Sequence, residues 1–169
     1  YNQLNESIMK RVMAYYYGSI SLVDEQVGKI LKSLTEEGLD NDTVILFVSD
    51  HGELLGHYGM LIKSVDKYPM LYDVGLHVPL IIHAPGCKEG SCINELIELV
   101  DVYPTVADIS GLEENVWVQG VNQKEALYGG SPQKRDWVYF ETGAVKGLRS
   151  EKYKLVYYPG QNYGELYEI

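Results

Sequence analysis

The fold of this chain is decided by the stretch Thr43-Val44-Ile45-Leu46-Phe47-Val48-Ser49-Asp50-His51-Gly52-Glu53. Its first six residues are apolar or β-branched, which predicts a strand buried on both faces. We expect the strand to end at Ser49, because three polar side chains in succession cannot continue a buried strand. Ligands of open α/β sheets bind just beyond the carboxyl ends of the strands. An Asp and an imidazole delivered there are two good ligands for a divalent cation.

The tripeptide Asp50-His51-Gly52 also has a simpler interpretation. It is typical of a turn after a strand, in which Asp50 caps the backbone that follows. The tripeptide alone leaves both interpretations open. The sequence on either side of it favours the metal site.

A long helix is predicted before the strand. Apolar residues recur at three- and four-residue spacing from about residue 7 to residue 37, and Gly38 stands where a helix-ending glycine belongs. A short turn then leads into the strand. Helix, turn and buried strand form an αβ unit, so we expect an α/β fold with a partly parallel sheet flanked by helices.

The rest of the chain divides into two parts. Residues 77–84 predict a second strand that ends at Pro85, and residues 100–109 predict a helix with Asp101 near its start and Pro104 in its first turn. From residue 136 onward, short strand-like segments separated by turns predict a small antiparallel sheet. We therefore expect residues 1–135 to be the C-terminal part of an α/β catalytic domain and residues 136–169 to begin a small antiparallel subdomain.

Composition excludes several classes of partner. The chain has 169 residues, of which 46% are hydrophobic, enough for a core, and its net charge is −10. This charge argues against unaided binding to nucleic acid or an anionic membrane, and no apolar run is long enough to span a bilayer. The first residue is Tyr1, so the sequence does not distinguish a cytoplasmic from an exported protein. The sequence does not determine the oligomeric state either. Cys87 and Cys92 lie in a short polar loop and are expected to be free thiols or a local disulfide rather than a metal site.

Several motifs, in order and with sensible gaps, resemble the C-terminal half of a sulfatase, in the alkaline-phosphatase-like superfamily of hydrolases. They lie at residues 16–28, 49–53, 59–63, 77–82, 99–105, 148–155 and 165–167. The resemblance implies that Asp50 and His51 ligate the active-site divalent metal, which is usually calcium in this family. Because calcium prefers oxygen ligands, the imidazole leaves manganese and magnesium open.

The resemblance also implies a lysine that contacts the sulfate group of the ester. Lys63 stands at the matching distance from the metal pair and is favoured over Lys67, which is the alternative. An ammonium beside a metal adds positive charge where ester oxygens become negative. His57 stands one position earlier than the histidine often found in the family, so it is either a site residue or a solvated loop histidine. His77 replaces a frequent arginine and is expected to shape the strand edge.

The nucleophile of the family is not in this chain. Sulfatases use a formylglycine matured from the first residue of a Cys/Ser-x-Pro-x-Arg motif, and none of the six prolines here has Cys or Ser two positions before it. The resemblance therefore implies that the formylglycine and the first two metal-binding aspartates lie upstream, in a longer protein.

The expected activity of that protein is hydrolysis of a small-molecule or carbohydrate sulfate ester. A phosphonate or phosphate ester hydrolase, or a phospho-group transferase, is the alternative, because relatives of those classes also carry Ser-Asp-His-Gly. A non-catalytic interaction domain is a further alternative.

Overall fold

The predicted long helix is present as α1, Glu6–Glu36, in a computed structural model that describes residues 5–61, 71–112 and 117–169. The Asn5 side chain caps it by accepting a hydrogen bond from the Ser7 amide at 2.8 Å. The helix ends just before Gly38, whose φ of +68° suits glycine. None of the residues of α1 is buried, and Ile20 and Ile30 on its apolar stripe are 49% and 62% exposed. Its apolar stripe is therefore not covered by the described part of this chain.

The predicted strand at the metal motif is β1, Ile45–Val48, and its neighbour is β2, Leu80–His83. They pair antiparallel, with Val48 opposite Leu80. The expected parallel pairing is thus not found between these strands. A parallel partner strand requires a crossover connection that brings the chain back to the N-terminal end of β1. Instead, residues 49–61 and 71–79 contain only short turns of helix, and β2 begins beside the end of β1.

The expectation that β1 is buried on both faces is also wrong for the described residues. Phe47 is 44% exposed and Val48 is 39% exposed. Among the described residues, β1 has one neighbouring strand, and α1 does not bury its apolar stripe against β1. The two faces of β1 are therefore not both covered.

A buried polar segment follows β2. The predicted helix is α3, Val102–Ile109, and it is preceded by a 3₁₀ turn over Leu99–Asp101. Asp101 lies near the helix start as expected. Its carboxylate, however, accepts from the Glu98 amide at 2.8 Å rather than from the helix itself. A one-turn helix, α4, covers Lys124–Leu127.

The C-terminal antiparallel sheet is confirmed and has four strands. They are β3 (Val138–Thr142), β4 (Val145–Arg149), β5 (Tyr153–Tyr157) and β6 (Gly164–Glu168), in that spatial order. The predicted hairpin between β4 and β5 closes with the Ser150 amide donating to the Tyr153 carbonyl at 2.8 Å. The sequence did not predict β6, which is one of the two edge strands.

One face of this sheet packs against the segment that precedes β2. Val145 and Val156 form a small core with Leu71, and Leu76, Phe140 and Tyr158 pack around it. Residues 73–76 form a short helix, α2, Asp73–Leu76. The inner face of the C-terminal sheet therefore supports α2, whose backbone lies against Gly52. The boundary at residue 135 stays a prediction. Within the described ranges, no helix is both long enough and apolar enough to cross a membrane.

Candidate functional site

The Asp50 and His51 side chains meet just beyond the end of β1. The Asp50 carboxylate receives a hydrogen bond from the His51 backbone amide through Oδ1, at 2.9 Å. Its other oxygen, Oδ2, lies 3.4 Å from His51 Nε2. The Asp50 side chain is 83% exposed and that of His51 38%. Strand-end polarity thus brings the two predicted ligands together at an accessible edge.

The tautomer of His51 follows from its other ring nitrogen. Nδ1 lies 2.9 Å from the Gly52 carbonyl oxygen. A carbonyl can only accept a hydrogen bond, so Nδ1 carries the proton. His51 Nε2 is then the ring nitrogen that faces the Asp50 carboxylate. Ligating histidines in proteins commonly donate their second N–H to a backbone carbonyl in this way.

This donor set fits a divalent cation. A carboxylate oxygen and an imidazole nitrogen 3.4 Å apart are ligands of the kinds that calcium, manganese or magnesium accept, and they supply part of a coordination shell. Among residues 5–61, 71–112 and 117–169, no group of three or more His, Cys, Asp or Glu side chains is placed to hold a metal. The pair therefore supplies two ligands, and its role as a metal site stays a prediction.

Gly52 fixes the position of the pair relative to α2. Its amide donates to the Gly75 carbonyl at 2.9 Å. A Cβ at position 52 would overlap the backbone carbonyl oxygen of Val74, which cannot swing away as a side chain can. The turn after His51 therefore requires glycine because α2 lies against it.

We expect Gly52→Ala to destabilise the protein by about 1–3 kcal/mol, since the added methyl group must push α2 away from the strand end. The same change should weaken metal binding by displacing His51. Chemical unfolding and metal titration measure the two effects. Gly75→Ala is the matched control, because nothing lies within 4 Å of a Cβ there. Equal effects of the two substitutions would contradict the close approach described here.

An ion cluster ties α2 to the inner face of the C-terminal sheet. Asp73 Oδ1 accepts from Lys154 Nζ at 2.7 Å, and Asp73 Oδ2 lies 3.3 Å from Arg149 Nη1. The Lys154 side chain is only 8% exposed, and its ammonium lies 5.6 Å from the centre of the Phe140 ring. This cluster was not predicted from the sequence. Its signal was a lysine at an inward position of an alternating strand, since a buried charge requires a partner.

The cluster predicts a pH dependence of stability. Partial burial raises the pKa of Asp73, but the hydrogen bond and charge of Lys154 with the charge of Arg149 outweigh burial and hold that pKa below its ordinary value of 3.8. A carboxyl whose pKa is lowered by folding stabilises the native state above its unfolded pKa and loses that contribution as the pH falls through its folded pKa.

We therefore expect wild type to exceed Asp73→Asn in free energy of unfolding by a constant amount above about pH 5, with the difference shrinking below 3.8. Urea unfolding at a series of pH values measures it, and Asp24→Asn on the exposed face of α1 is the control. A difference that grew on acidification would refute the assigned role of Asp73.

The other predicted residues are placed as follows. His57 is exposed in a 3₁₀ turn over His57–Gly59, and its part in the site stays a prediction. Lys63 and Lys67 lie outside the described residues. His77 is exposed at the end of α2, and its expected role at the strand edge stays a prediction. Cys87 and Cys92 are not joined by a disulfide in the structure.

Comparison with known proteins gives two family matches that overlap and together cover the chain. The family described as Sulfatase matches residues 1–112, and the family described as N-sulphoglucosamine sulphohydrolase, C-terminal, matches residues 62–169. An arylsulfatase of Clostridium perfringens (strain 13 / Type A) is 34% identical over 142 residues, or 82% of this chain and 28% of that protein. The chain thus spans well under half the length of this relative.

Two solved structures extend the comparison. A protein in complex with its substrate, D-glucosamine-2-N,6-O-disulfate, has a TM-score of 0.85 and 26% identity, covering 99% of this chain and 36% of its own. The phosphonate monoester hydrolase of Silicibacter pomeroyi has a TM-score of 0.77 and 29% identity, covering 86% of this chain and 32% of its own. The likeness confirms the predicted α/β class. The chain belongs to the sulfatase family, in the alkaline-phosphatase-like superfamily of hydrolases.

Proposed function

We propose that the protein containing this chain is a metal-dependent sulfuric ester hydrolase that cleaves a small-molecule or carbohydrate sulfate ester. The observation that carries the proposal is the pairing of Asp50 Oδ2 with His51 Nε2, 3.4 Å apart at the end of β1. Similarity to an arylsulfatase, and to a protein whose substrate is a glucosamine disulfate, supports a sulfate ester.

The proposed roles follow from the chemistry of the side chains. Asp50 and His51 hold a divalent cation, most simply calcium, with manganese or magnesium as alternatives. When bound, the cation supplies positive charge that stabilises negative charge developing on the ester oxygens. Lys63, or Lys67 in its place, binds the sulfate group. The nucleophile is a formylglycine in an upstream segment that completes the metal shell.

A phosphonate or phosphate ester hydrolase is the second candidate, and the likeness to a phosphonate monoester hydrolase favours it. Sulfate and phosphonate monoesters each carry one negative charge at neutral pH and phosphate monoesters close to two, so only the phosphate ester differs in the charge that the site must balance. The whole protein assayed against paired sulfate, phosphate and phosphonate esters of one alcohol decides between the candidates. A kcat/KM that is largest for the sulfate ester supports the proposal, and one largest for either phosphorus ester overturns it.

The isolated 169-residue chain is expected to be inactive and to bind metal weakly. It offers two ligands at the strand end within its described parts and no Cys/Ser-x-Pro-x-Arg motif. An aryl sulfate assay and calorimetric titration with calcium and manganese test this. Turnover by the isolated chain, or tight stoichiometric binding lost in Asp50→Ala, would show that the site is complete without an upstream segment.

A further inference from the structure

Five tyrosines from three separate parts of the chain form one surface, here called the tyrosine patch: Tyr58, Tyr72, Tyr158, Tyr163 and Tyr167. The Tyr58 and Tyr72 rings stack with centres 4.0 Å apart, and those of Tyr158 and Tyr163 are 5.3 Å apart. Tyr158 packs against the core cluster that contains Leu71, the neighbour of Tyr72, so the two pairs lie beside the same cluster.

Glu165 orders the base of the tyrosine patch. Its two carboxylate oxygens accept hydrogen bonds from the hydroxyls of Tyr158, at 3.0 Å, and Tyr167. Burial and the bond to Glu165 raise the pKa of Tyr158 to about 12, and the bond to Glu165 raises that of Tyr167 to about 12. The nearby Tyr72 hydroxyl contributes to both shifts. Both phenols therefore stay protonated donors at neutral pH, and their rings are held in place.

Three tyrosines of the patch are exposed within the described part of the chain, although the hydroxyls of two patch tyrosines are engaged. Tyr58 is 64% exposed, Tyr163 57% and Tyr167 45%. Tyr163, Glu165 and Tyr167 alternate along the chain at the edge strand β6, so they project from the same face of the sheet. The result is an exposed aromatic surface on this chain with phenol oxygens at its rim and the Glu165 carboxylate at its base.

Two connections link the tyrosine patch to Asp50 and His51: a chain of backbone hydrogen bonds and the loop that carries Tyr58. The Gly52 amide donates to the Gly75 carbonyl, and the Gly75 amide donates to the Tyr72 carbonyl, each at 2.9 Å. About one helical turn, or about 5 Å along the axis, therefore separates Tyr72 from Gly75, which contacts Gly52. Tyr58 reaches the same ring from the loop that continues Asp50 and His51.

We propose that the tyrosine patch binds the sugar ring of a carbohydrate sulfate ester whose sulfate group lies at Asp50 and His51. A pyranose has an apolar C–H face and a rim of hydroxyls, which matches aromatic faces bounded by polar oxygens. The inference rests on the proposed function and narrows its substrate class to carbohydrates. Its residues are positioned to set KM for the sugar and do not touch the reacting atoms.

The test uses the whole protein with a sulfated monosaccharide as substrate. Tyr163→Ala and Tyr58→Asn remove exposed rings from two separate segments; Asn is chosen at position 58 because it tolerates the φ of +57° found there. Each variant should raise KM for the sugar sulfate about tenfold with little change in kcat, as expected for loss of one aromatic contact. The inhibition constant of inorganic sulfate, which has no ring, should not change.

Tyr153→Ala is the matched control, since Tyr153 is 47% exposed on the opposite face of the same sheet. An unchanged KM in both patch variants, an equal rise in Tyr153→Ala, or an equal rise in the inhibition constant of sulfate would each overturn the proposal. So would a rise confined to an aryl sulfate substrate. Failure of the proposed function is distinguishable, because wild type would then cleave no sulfate ester at all.

Discussion

Replacing Asp50 with alanine is expected to lower kcat/KM of the whole protein for sulfate esters by about 100- to 1,000-fold, the range typical of losing one group that stabilises charge in the transition state. The reason is local. Asp50 Oδ2 and His51 Nε2 lie 3.4 Å apart, so removal of the carboxylate leaves the imidazole as a lone ligand at the strand end. If the proposed cation binds here, it would then be held weakly and Asp50 would no longer balance its charge.

The control for this prediction is Asp42→Ala. Asp42 is an exposed carboxylate in the 3₁₀ turn over Asp40–Asp42, just before β1, so its removal changes net charge equally without touching the strand end. Steady-state kinetics at saturating metal should separate the two variants. If Asp50→Ala retained wild-type kcat/KM, the proposal that Asp50 holds the metal would be wrong.

The second large effect is expected on stability, at Asp101. This carboxylate is 1% exposed. Its Oδ1 accepts from Arg135 Nη2 at 2.7 Å and from the Val121 amide at 2.7 Å, while Oδ2 accepts from the Glu98 amide. It therefore joins the start of α3, the loop at residue 121 and the segment that leads into β3.

We expect Asp101→Ala to destabilise the protein by about 3–5 kcal/mol, because it leaves the Arg135 guanidinium, only 13% exposed, without one of its two carboxylate partners and leaves two amides without acceptors. Chemical unfolding measures the loss. Asp108→Ala, which removes a more exposed carboxylate paired with Lys124, should cost much less. A similar cost for both variants would show that the buried network is not what stabilises this region.

The parts of the fold that the sequence predicted well are those with strong local signals. The three- and four-residue spacing predicted α1 within a residue or two, and the alternation after residue 136 predicted the antiparallel sheet. The pairing of β1 with β2 was not predictable in the same way. It depends on where the intervening chain re-enters the sheet, and no local pattern records that.

The same distinction between local signals and tertiary packing applies to the candidate site. Asp50 and His51 are adjacent in sequence, so a motif at a strand end was enough to predict that they meet. Lys154 and Asp73 are 81 residues apart and the stacked Tyr58 and Tyr72 come from different loops, so both contacts depend on tertiary packing. The excess of tyrosines, 15 in all, was visible, but which of them form one surface was not.

The central claim, that Asp50 and His51 hold one divalent cation, is tested most directly by the metal content of the purified whole protein. We expect one equivalent of calcium, manganese or magnesium at this site in wild type, lost in Asp50→Ala and in His51→Ala and retained in Asp42→Ala. Active wild type without bound metal, or a full equivalent that both site variants retain, would contradict the account.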